Sequence, residues 1–298
     1  MTAREERPPR KGRPAASVAD PPVRRGRRGG RARRNRVLVQ TACVAISLFM
    51  VAPMYLITLA AFSSPESLNE YPRSFLPTDV STETMEAFLT STGVIPALLN
   101  SLLVGLFTVL LSLALGVPAG YALARFAFPG RDSYQLFLLF TRALPIVVLS
   151  VPLARLFITT GVSDTILAVT LLHTALALPT TVLITASIIV SVPRDVEEAA
   201  LVFGCTPLQA FRQVVAPLAL PGTAAAAVFT FVLSWNEILG AAVLTLTHRT
   251  LPAQVLGSLQ WSPLAYRFAG GFALVVPALL FIFVMRRYLL NMWGTTLR

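Results

Sequence analysis

The chain alternates between long apolar runs and short polar segments. Six runs are long enough to cross a bilayer, which takes about 20 apolar residues in a helix. They lie at 37–62, 97–124, 133–155, 164–190, 221–245 and 268–292. Prolines interrupt several runs, which membrane helices tolerate because neighbouring helices and water satisfy the freed backbone groups. The pattern predicts an all-α membrane protein with six transmembrane helices and both termini on the same side.

Composition supports a membrane protein and separates the N-terminus from the rest. Of the 298 residues, 55% are hydrophobic and 13% charged, whereas about 25% are charged in soluble domains. Thirteen of the 25 basic residues fall within residues 1–36, a segment rich in Arg, Pro and Gly. We expect this segment to be a disordered basic tail and residues 37–298 to form the transmembrane domain. The tail either binds anionic lipid or nucleic acid, or is a solvated segment that fixes orientation; we favour the solvated segment.

Basic residues outside the tail predict the orientation. The first run is too long for a signal-peptide core, so we interpret it as an uncleaved first helix. With the N-terminus inside, seven further arginines lie in inner segments, namely Arg125, Arg131, Arg194, Arg212, Arg286, Arg287 and Arg298. Four lie outside, namely Arg73, Arg155, Arg249 and Arg267. Because cytoplasmic loops carry an excess of Arg and Lys, both termini are predicted to be cytoplasmic.

A charged segment between the fourth and fifth runs, VEEAALVFGCTPLQAFRQVVAPLALPG at 196–222, predicts a helix–turn–helix elbow on the cytoplasmic face. Asp195 is the expected N-cap of its first helix and Glu198 the matching capping-box residue. Gly204 stands where a residue with positive φ ends a helix. One apolar stripe follows helical spacing, formed by Val196, Ala199, Ala200 and Phe203.

The second helix of the elbow has its own start and stop signals. Thr206 is the expected N-cap, Pro207 the first helical residue and Gln209 the capping-box partner. Pro217 and Pro221 are expected to end this helix before the fifth span. Because a short apolar stripe must be covered, the elbow packs against its own spans or inserts into a groove on a partner.

The spacing of the elbow resembles the EAA loop of ABC importer permeases. Glu198-Ala199-Ala200 is followed by Gly204 and then by Val214-x-Ala216-Pro217, where the family pattern ends in I-x-L-P. Further stretches resemble carbohydrate importer permeases of the maltose and glycerol-phosphate type. These are AGYALARFAFPGR at 119–131, Asn100-Ser101 and Trp235-Asn236-Glu237. The resemblance covers about residues 37–298.

The resemblance implies a permease subunit of a binding-protein-dependent importer in the cell membrane. Its implied partners are a second permease, two cytoplasmic ATPase subunits and an external solute-binding protein. The residues assigned to ATPase coupling are Glu198, Ala199, Ala200, Phe203, Gly204 and Pro217. Glu198 either contacts the ATPase or only caps its own helix. Lys11 is the sole lysine, so the body of the chain has no Walker A lysine to bind nucleotide itself.

Ionisable and amide side chains at membrane depth are costly and usually face a cavity or a partner. Trp235, Asn236 and Glu237 in the fifth span are the candidates for the substrate path, because an aromatic ring and polar groups suit a sugar. Alternatively, Glu237 forms an interhelical pair, for instance with Arg142. His173 is interpreted as a hydrogen-bonded packing residue rather than a ligand.

Three other function classes fit the sequence less well. An importer of an amino acid, polyamine or ion would also carry an EAA loop, and the carbohydrate-type stretches favour a sugar over these solutes. A membrane enzyme needs clustered acid, base, nucleophile or metal ligands, whereas the two histidines are isolated and neither HExxH nor GxSxG occurs. No CxxC is present, so neither a disulfide framework nor a cysteine metal site is predicted. We expect no metal and no cofactor. A stand-alone secondary carrier would have no use for an ATPase-docking elbow.

Overall fold

The computed structural model describes residues 28–71, 75–77, 79–259 and 261–294. Within these ranges the regular elements are helices, with one isolated bridge between Ser63 and Val80. In chain order they are α1 (Arg28–Ala61), α2 (Pro65–Asn69), α3 (Glu83–Thr90), α4 (Val94–Arg125), α5 (Arg131–Thr141), α6 (Ile146–Thr159), α7 (Ile166–Ser191), α8 (Arg194–Val202), α9 (Pro207–Ala210), a π-helical turn (Phe211–Val215), α10 (Ala216–Asn236), α11 (Leu239–Leu244), α12 (Leu251–Leu259) and α13 (Leu264–Gly294).

Four predicted spans correspond to long apolar helices, namely α1, α4, α7 and α13. Helix α1 begins at Arg28, inside the segment predicted as a disordered tail, while residues 1–27 lie outside the described part of the chain. The side chains from Asn35 to Pro53 are exposed, as expected of a helix that faces lipid.

The third predicted span is broken into two helices. α5 and α6 meet at an angle of 89°, and Pro145 stands at the N-cap of α6. A proline lacks the backbone N–H that would continue α5. In α5, Leu138 packs with Leu123 of α4, whereas in α6 Phe157 packs with Val104. The pair therefore runs from the C-terminal end of α4 back toward its N-terminal half.

The fifth predicted span, 221–245, has different bounds in the structure. Helix α10 begins before Pro217, which was expected to end a separate helix, and it continues through Pro221. It then ends at Asn236, well before the predicted end. The N–H of Ala216 bonds to the carbonyl of Phe211, five residues back. Since a π-helical turn shifts the hydrogen-bond register by one residue, the helix can pass into the proline-containing segment without a stop.

Helices α4 and α7 pack side by side in the same direction. Gly116 lies against Thr181, and Gly120 lies four residues further along against Thr185. The Thr185 hydroxyl donates to the carbonyl of Gly116 at 3.0 Å. A Cβ atom on Gly120 would lie 2.8 Å from the backbone nitrogen of Ala186. Glycine is thus required here, because it lets the two backbones approach closely.

Helix α10 crosses α7 in the opposite direction. Gly222 lies against Ile188 near the C-terminal end of α7, whereas Ser234 bonds to His173 in its N-terminal half. Between them the Thr181 and Thr230 hydroxyls are 2.9 Å apart. The core of this part of the chain is therefore the set α4, α7 and α10, with buried hydroxyls between the helices.

Asp164 joins two turns at the end of the bundle where α7 begins. Its carboxylate accepts hydrogen bonds from the N–H groups of Leu246, Thr247 and His248, and from the Thr247 hydroxyl. Partial burial would raise the pKa of Asp164, but the Thr247 hydroxyl and the three N–H groups lower it more, so its pKa lies well below the usual range.

We expect Gly120→Val to disrupt the contact between α4 and α7. The branched side chain would meet the backbone of α7, and overpacking a tight core costs about 1–3 kcal/mol. The measurement is the thermal midpoint and yield of the purified membrane protein. Gly271→Val is the matched control, because a Cβ atom on Gly271 meets only Ile57 at 3.8 Å. Equal losses for both variants would contradict the close-packing argument.

Candidate functional site

The first helix of the elbow, α8, starts differently from the prediction. It begins at Arg194 with Pro193 at the N-cap position, and the Pro193 side chain has no acceptor for the first N–H groups of the helix. Asp195 lies inside the first turn, so its assignment as the N-cap was wrong. The capping-box role of Glu198 fails with it, because that role required Asp195 at the N-cap. Asp195 and Glu197 still favour the helix start, since negative charge is stabilising in a first turn.

The turn and the second start of the elbow are confirmed. α8 ends at Val202, and Gly204 has φ +93°, a conformation that residues with a Cβ rarely adopt. Thr206 caps α9 by accepting the N–H of Gln209, and the Gln209 side chain accepts the N–H of Thr206. Both hydrogen bonds of the predicted capping box are therefore present.

Glu197 fixes the elbow to the end of α4. Its carboxylate lies 2.7 Å from the Nε atom of Arg125 and accepts a hydrogen bond from the Tyr121 hydroxyl. Arg125 also donates to the carbonyl of Val192 at 3.0 Å. Both side chains of the ion pair are almost fully buried. A buried pair that loses one partner leaves an uncompensated charge, which destabilises by about 3–5 kcal/mol.

Glu197 was missed in the sequence, where its neighbour Glu198 was chosen instead. Two signals could have found it. Glu197 and Ala200 are three residues apart on one helix face, and they are the buried residues of α8. Arg125 stands at the end of a span where a charge needs a partner. Of the expected stripe, Ala200 packs inward, whereas Val196, Ala199 and Phe203 are exposed and are not covered by the described part of the chain.

The outer surface of the elbow is apolar and uncovered. Phe203 is 89% exposed, Val202 86% and Leu208 65%. Glu198 is exposed beside them, and within the described ranges its carboxylate has no hydrogen bond or ion pair. Pro217 follows the π-helical segment, exposed on α10. The candidate coupling residues thus divide into a solvent-facing set and Ala200, which packs inward.

A second candidate site is a cleft of about 550 Å³ where two helices break. α5 ends at Thr141, and Arg142 follows at its C-cap; α10 ends at Asn236, and Glu237 follows at its C-cap. The side chains at both breaks line the cleft, together with those of Ile146, Leu176, Leu233, Ile238 and Leu239. Non-helical backbone at membrane depth is tolerated where it is buried in protein or lines a water-filled cavity.

Glu237 is bound internally rather than to Arg142. One carboxylate oxygen accepts the N–H of Gly240 at 2.8 Å, and the other accepts that of Ala241 at 3.0 Å. The second oxygen also lies 3.0 Å from His173 Nε2. On the other side of the ring, His173 Nδ1 is 2.8 Å from the Ser234 hydroxyl. The interhelical pair expected for Glu237 exists, but its partner is His173.

The three consecutive candidates for the substrate path have different environments. Trp235 is 3% exposed, stacks on Phe231, and donates from its indole N–H to the carbonyl of Leu274 at 2.8 Å. Asn236 is exposed on the cleft and donates to the carbonyl of Val232. Glu237, which was expected within the fifth span, lies at the break where α10 ends. Asn236 is thus the candidate whose polar group faces the cleft most openly.

His173 is fully buried and makes two hydrogen bonds, as expected of a packing residue. Across the described residues, no group of three or more His, Cys, Asp or Glu side chains is arranged to hold a metal ion. The side chains that line the cleft offer hydrogen-bonding groups and one guanidinium, which suit the reversible binding of a polar solute.

Comparisons with known proteins cover the two sites described above. Residues 116–290 match the family described as binding-protein-dependent transport system inner membrane component, a range that contains both the elbow and the cleft.

Two relatives and one solved structure illustrate the similarity. The trehalose transport system permease protein SugB of Mycobacterium tuberculosis (strain CDC 1551 / Oshkosh) is 34% identical over 64% of this chain and 72% of its own length. The diacetylchitobiose uptake system permease protein NgcG of Streptomyces coelicolor is 33% identical over 70% of this chain and 68% of its own. A bacterial ABC transporter that imports the acidic polysaccharide alginate has a chain with a TM-score of 0.67 at 22% identity, covering 87% of this chain and 98% of that one. The chain therefore belongs to the family of binding-protein-dependent transport system inner membrane components.

Proposed function

We propose that this chain is a permease subunit of an ABC importer for a sugar or oligosaccharide. It forms part of the translocation path and couples to a separate cytoplasmic ATPase through the elbow. A second permease subunit and an external binding protein complete the complex, with two ATPase subunits on the inner side. The observation that carries the proposal is the elbow itself, which is anchored to α4 by a buried ion pair and presents an uncovered apolar surface.

Partner docking explains the opposite faces of α8. An apolar surface with Phe203 and Val202 almost fully exposed is stabilised when a protein groove covers it, and helix-in-groove recognition uses such a face. Glu198 lies on the exposed side, where it can pair with a basic group of the ATPase. Since Asp195 is not the N-cap, the structure supports the contact role of Glu198 over the capping role.

The packing of α4 to α7 is consistent with six membrane crossings and with both termini on the cytoplasmic side. α4 and α7 run in the same direction, so the chain between them must return along the bundle. The bent pair α5 and α6 provides that return, because its two halves pack at different levels of α4. Counting the pair as one span gives six, an even number. The excess of arginines in the predicted inner segments then orients the elbow toward the cytoplasm.

The sugar assignment rests on relatives and on the cleft. SugB and NgcG are named for the transport of trehalose and diacetylchitobiose. The cleft presents an amide and a guanidinium, which bond well to hydroxyl oxygens. It has apolar walls formed by Ile146, Leu176 and Leu233. A site of this kind fits a neutral or weakly charged polyol better than an inorganic ion.

The test of the function is uptake in a strain lacking this gene. Labelled trehalose, diacetylchitobiose and maltose are compared with a labelled amino acid and a polyamine, with and without the restored chain. We expect restoration of uptake for at least one sugar and for neither of the other solutes. Restored uptake of the amino acid or polyamine alone would assign the complex to another solute class.

We expect Glu197 and Glu198 to have separable roles. Glu197→Ala leaves Arg125 buried without its partner, so the protein itself loses about 3–5 kcal/mol of stability and its membrane yield falls. Glu198→Ala changes only an exposed side chain, so yield stays normal while ATPase association and uptake fall. The measurements are membrane yield, co-purification of the ATPase and sugar uptake. If Glu198→Ala co-purified the ATPase as well as the parent and transported normally, a contact role would be excluded.

Gly204→Val is expected to abolish coupling by deforming the turn. A β-branched residue at φ +93° is strained, so the two elbow helices change their relative angle. Gly161→Val is the matched control, since Gly161 has φ +72° and a Cβ atom on either glycine would point into open space. Uptake per assembled complex is the measurement. Equal transport by the two variants would argue against a special role for the elbow turn.

A further inference from the structure

From the geometry of the cleft we infer that Arg142 is a substrate-contacting residue contributed by the broken third span. Asn236 contacts the substrate beside it, whereas Glu237 and His173 act as positioning residues. The inference rests on the proposed function. It adds a residue to the path that the sequence suggested only as an ion-pair partner of Glu237.

The charge of Arg142 has no acidic partner among the described residues. The ion pairs found there join Arg125 to Glu197, His173 to Glu237 and His248 to Asp164. Arg142 lines the cleft and is exposed. A guanidinium in the middle of a broken span is costly unless it faces water or a partner. The cleft of about 550 Å³ has room for water beside the guanidinium, and a solute passing through it provides hydrogen-bond acceptors.

Glu237 does not compete for this guanidinium. Its two carboxylate oxygens already accept three hydrogen bonds, from Gly240, Ala241 and His173, and its side chain is 9% exposed. These bonds join the end of α10, the start of α11 and the middle of α7. Glu237 thus holds the break open in one geometry and leaves the outward-facing groups of the cleft to Arg142 and Asn236.

The side-chain chemistry suits a saccharide. Arginine carries five N–H donors in a planar fork and no acceptor, so it binds hydroxyl, ring and carboxylate oxygens. Asn236 uses its amide N–H on the carbonyl of Val232 at 2.8 Å, which leaves its carbonyl oxygen as an acceptor on the cleft. The Arg142 guanidinium at the end of α5 and the Asn236 carbonyl oxygen at the end of α10 can bond to hydroxyls on two sides of a sugar ring.

The experiment uses the full complex reconstituted with its binding protein in proteoliposomes. The probe is the labelled sugar of the panel, trehalose, diacetylchitobiose or maltose, that the parent imports fastest. We expect Arg142→Gln to lower maximal uptake per assembled complex about tenfold or more, the loss that follows from removing a hydrogen bond to a charged group. Asn236→Ala should lower it about threefold to tenfold, because a hydrogen bond between neutral groups contributes less. Arg142→Lys should recover part of the rate, because it restores a cationic donor. Arg155→Gln on α6 is the matched control, since Arg155 is exposed but does not line the cleft.

Thermal midpoints of the same complexes separate contact from packing. Glu237→Ala should lower the midpoint, whereas Arg142→Gln should keep it. Uptake at the parental rate by Arg142→Gln would overturn the inference. A lower thermal midpoint and reduced assembly of that variant would also overturn it, and would indicate that Arg142 pairs with another subunit. If the parent imported no sugar of the panel, the proposed function would itself fail; parental sugar uptake with unaffected Arg142 variants would remove only the present inference.

Discussion

The buried ion pair between Arg125 and Glu197 is the contact on which the arrangement of the elbow depends. Two charges withdrawn from water are tolerated only when each satisfies the other, so the elbow cannot leave α4 without a large penalty. The pair holds α8 with Ala200 inward and Phe203 outward. Under the docking proposed above, the connection from the outer face of the elbow to α4 runs through this ion pair rather than through a loop.

The same helices link the elbow to the cleft. Helical structure runs from Pro207 through the π-helical turn to Asn236, so the second elbow helix and the fifth span form one continuous helix. α7 contacts this continuous helix at both ends, through Ile188 near the elbow and His173 at the cleft. The elbow and the hydrogen-bonded break at Glu237 therefore lie at the two ends of one continuous helix. Under the coupling role proposed above, this packing is the physical connection between the ATPase-docking elbow and the cleft.

Some helix caps and turns of this protein could be predicted from the sequence. Features that depend on contacts between distant residues, such as which side chain is buried and where a helix ends, could not. The Thr206–Gln209 capping box and the turn at Gly204 depend on a few adjacent residues, so their signals survive in the sequence. Which of two adjacent acids turns inward depends instead on where Arg125 lies in space. Likewise, α10 passes Pro217 after a π-helical turn, and it ends where the Glu237 carboxylate accepts the N–H groups of the next helix; both features depend on contacts that no single residue type signals.

Trp235, Asn236 and Glu237 show why a polar tripeptide is not one binding unit. Successive side chains on a helix point about 100° apart, and here a helix end separates them further. The indole packs on Phe231, the amide faces the cleft and the carboxylate binds α11. The exposed charge of the cleft comes instead from Arg142 on a different span. The breaks after α5 and after α10 both border the cleft. Non-helical backbone in contact with lipid would be costly, and it is tolerated here because it lies beside a cavity and other protein.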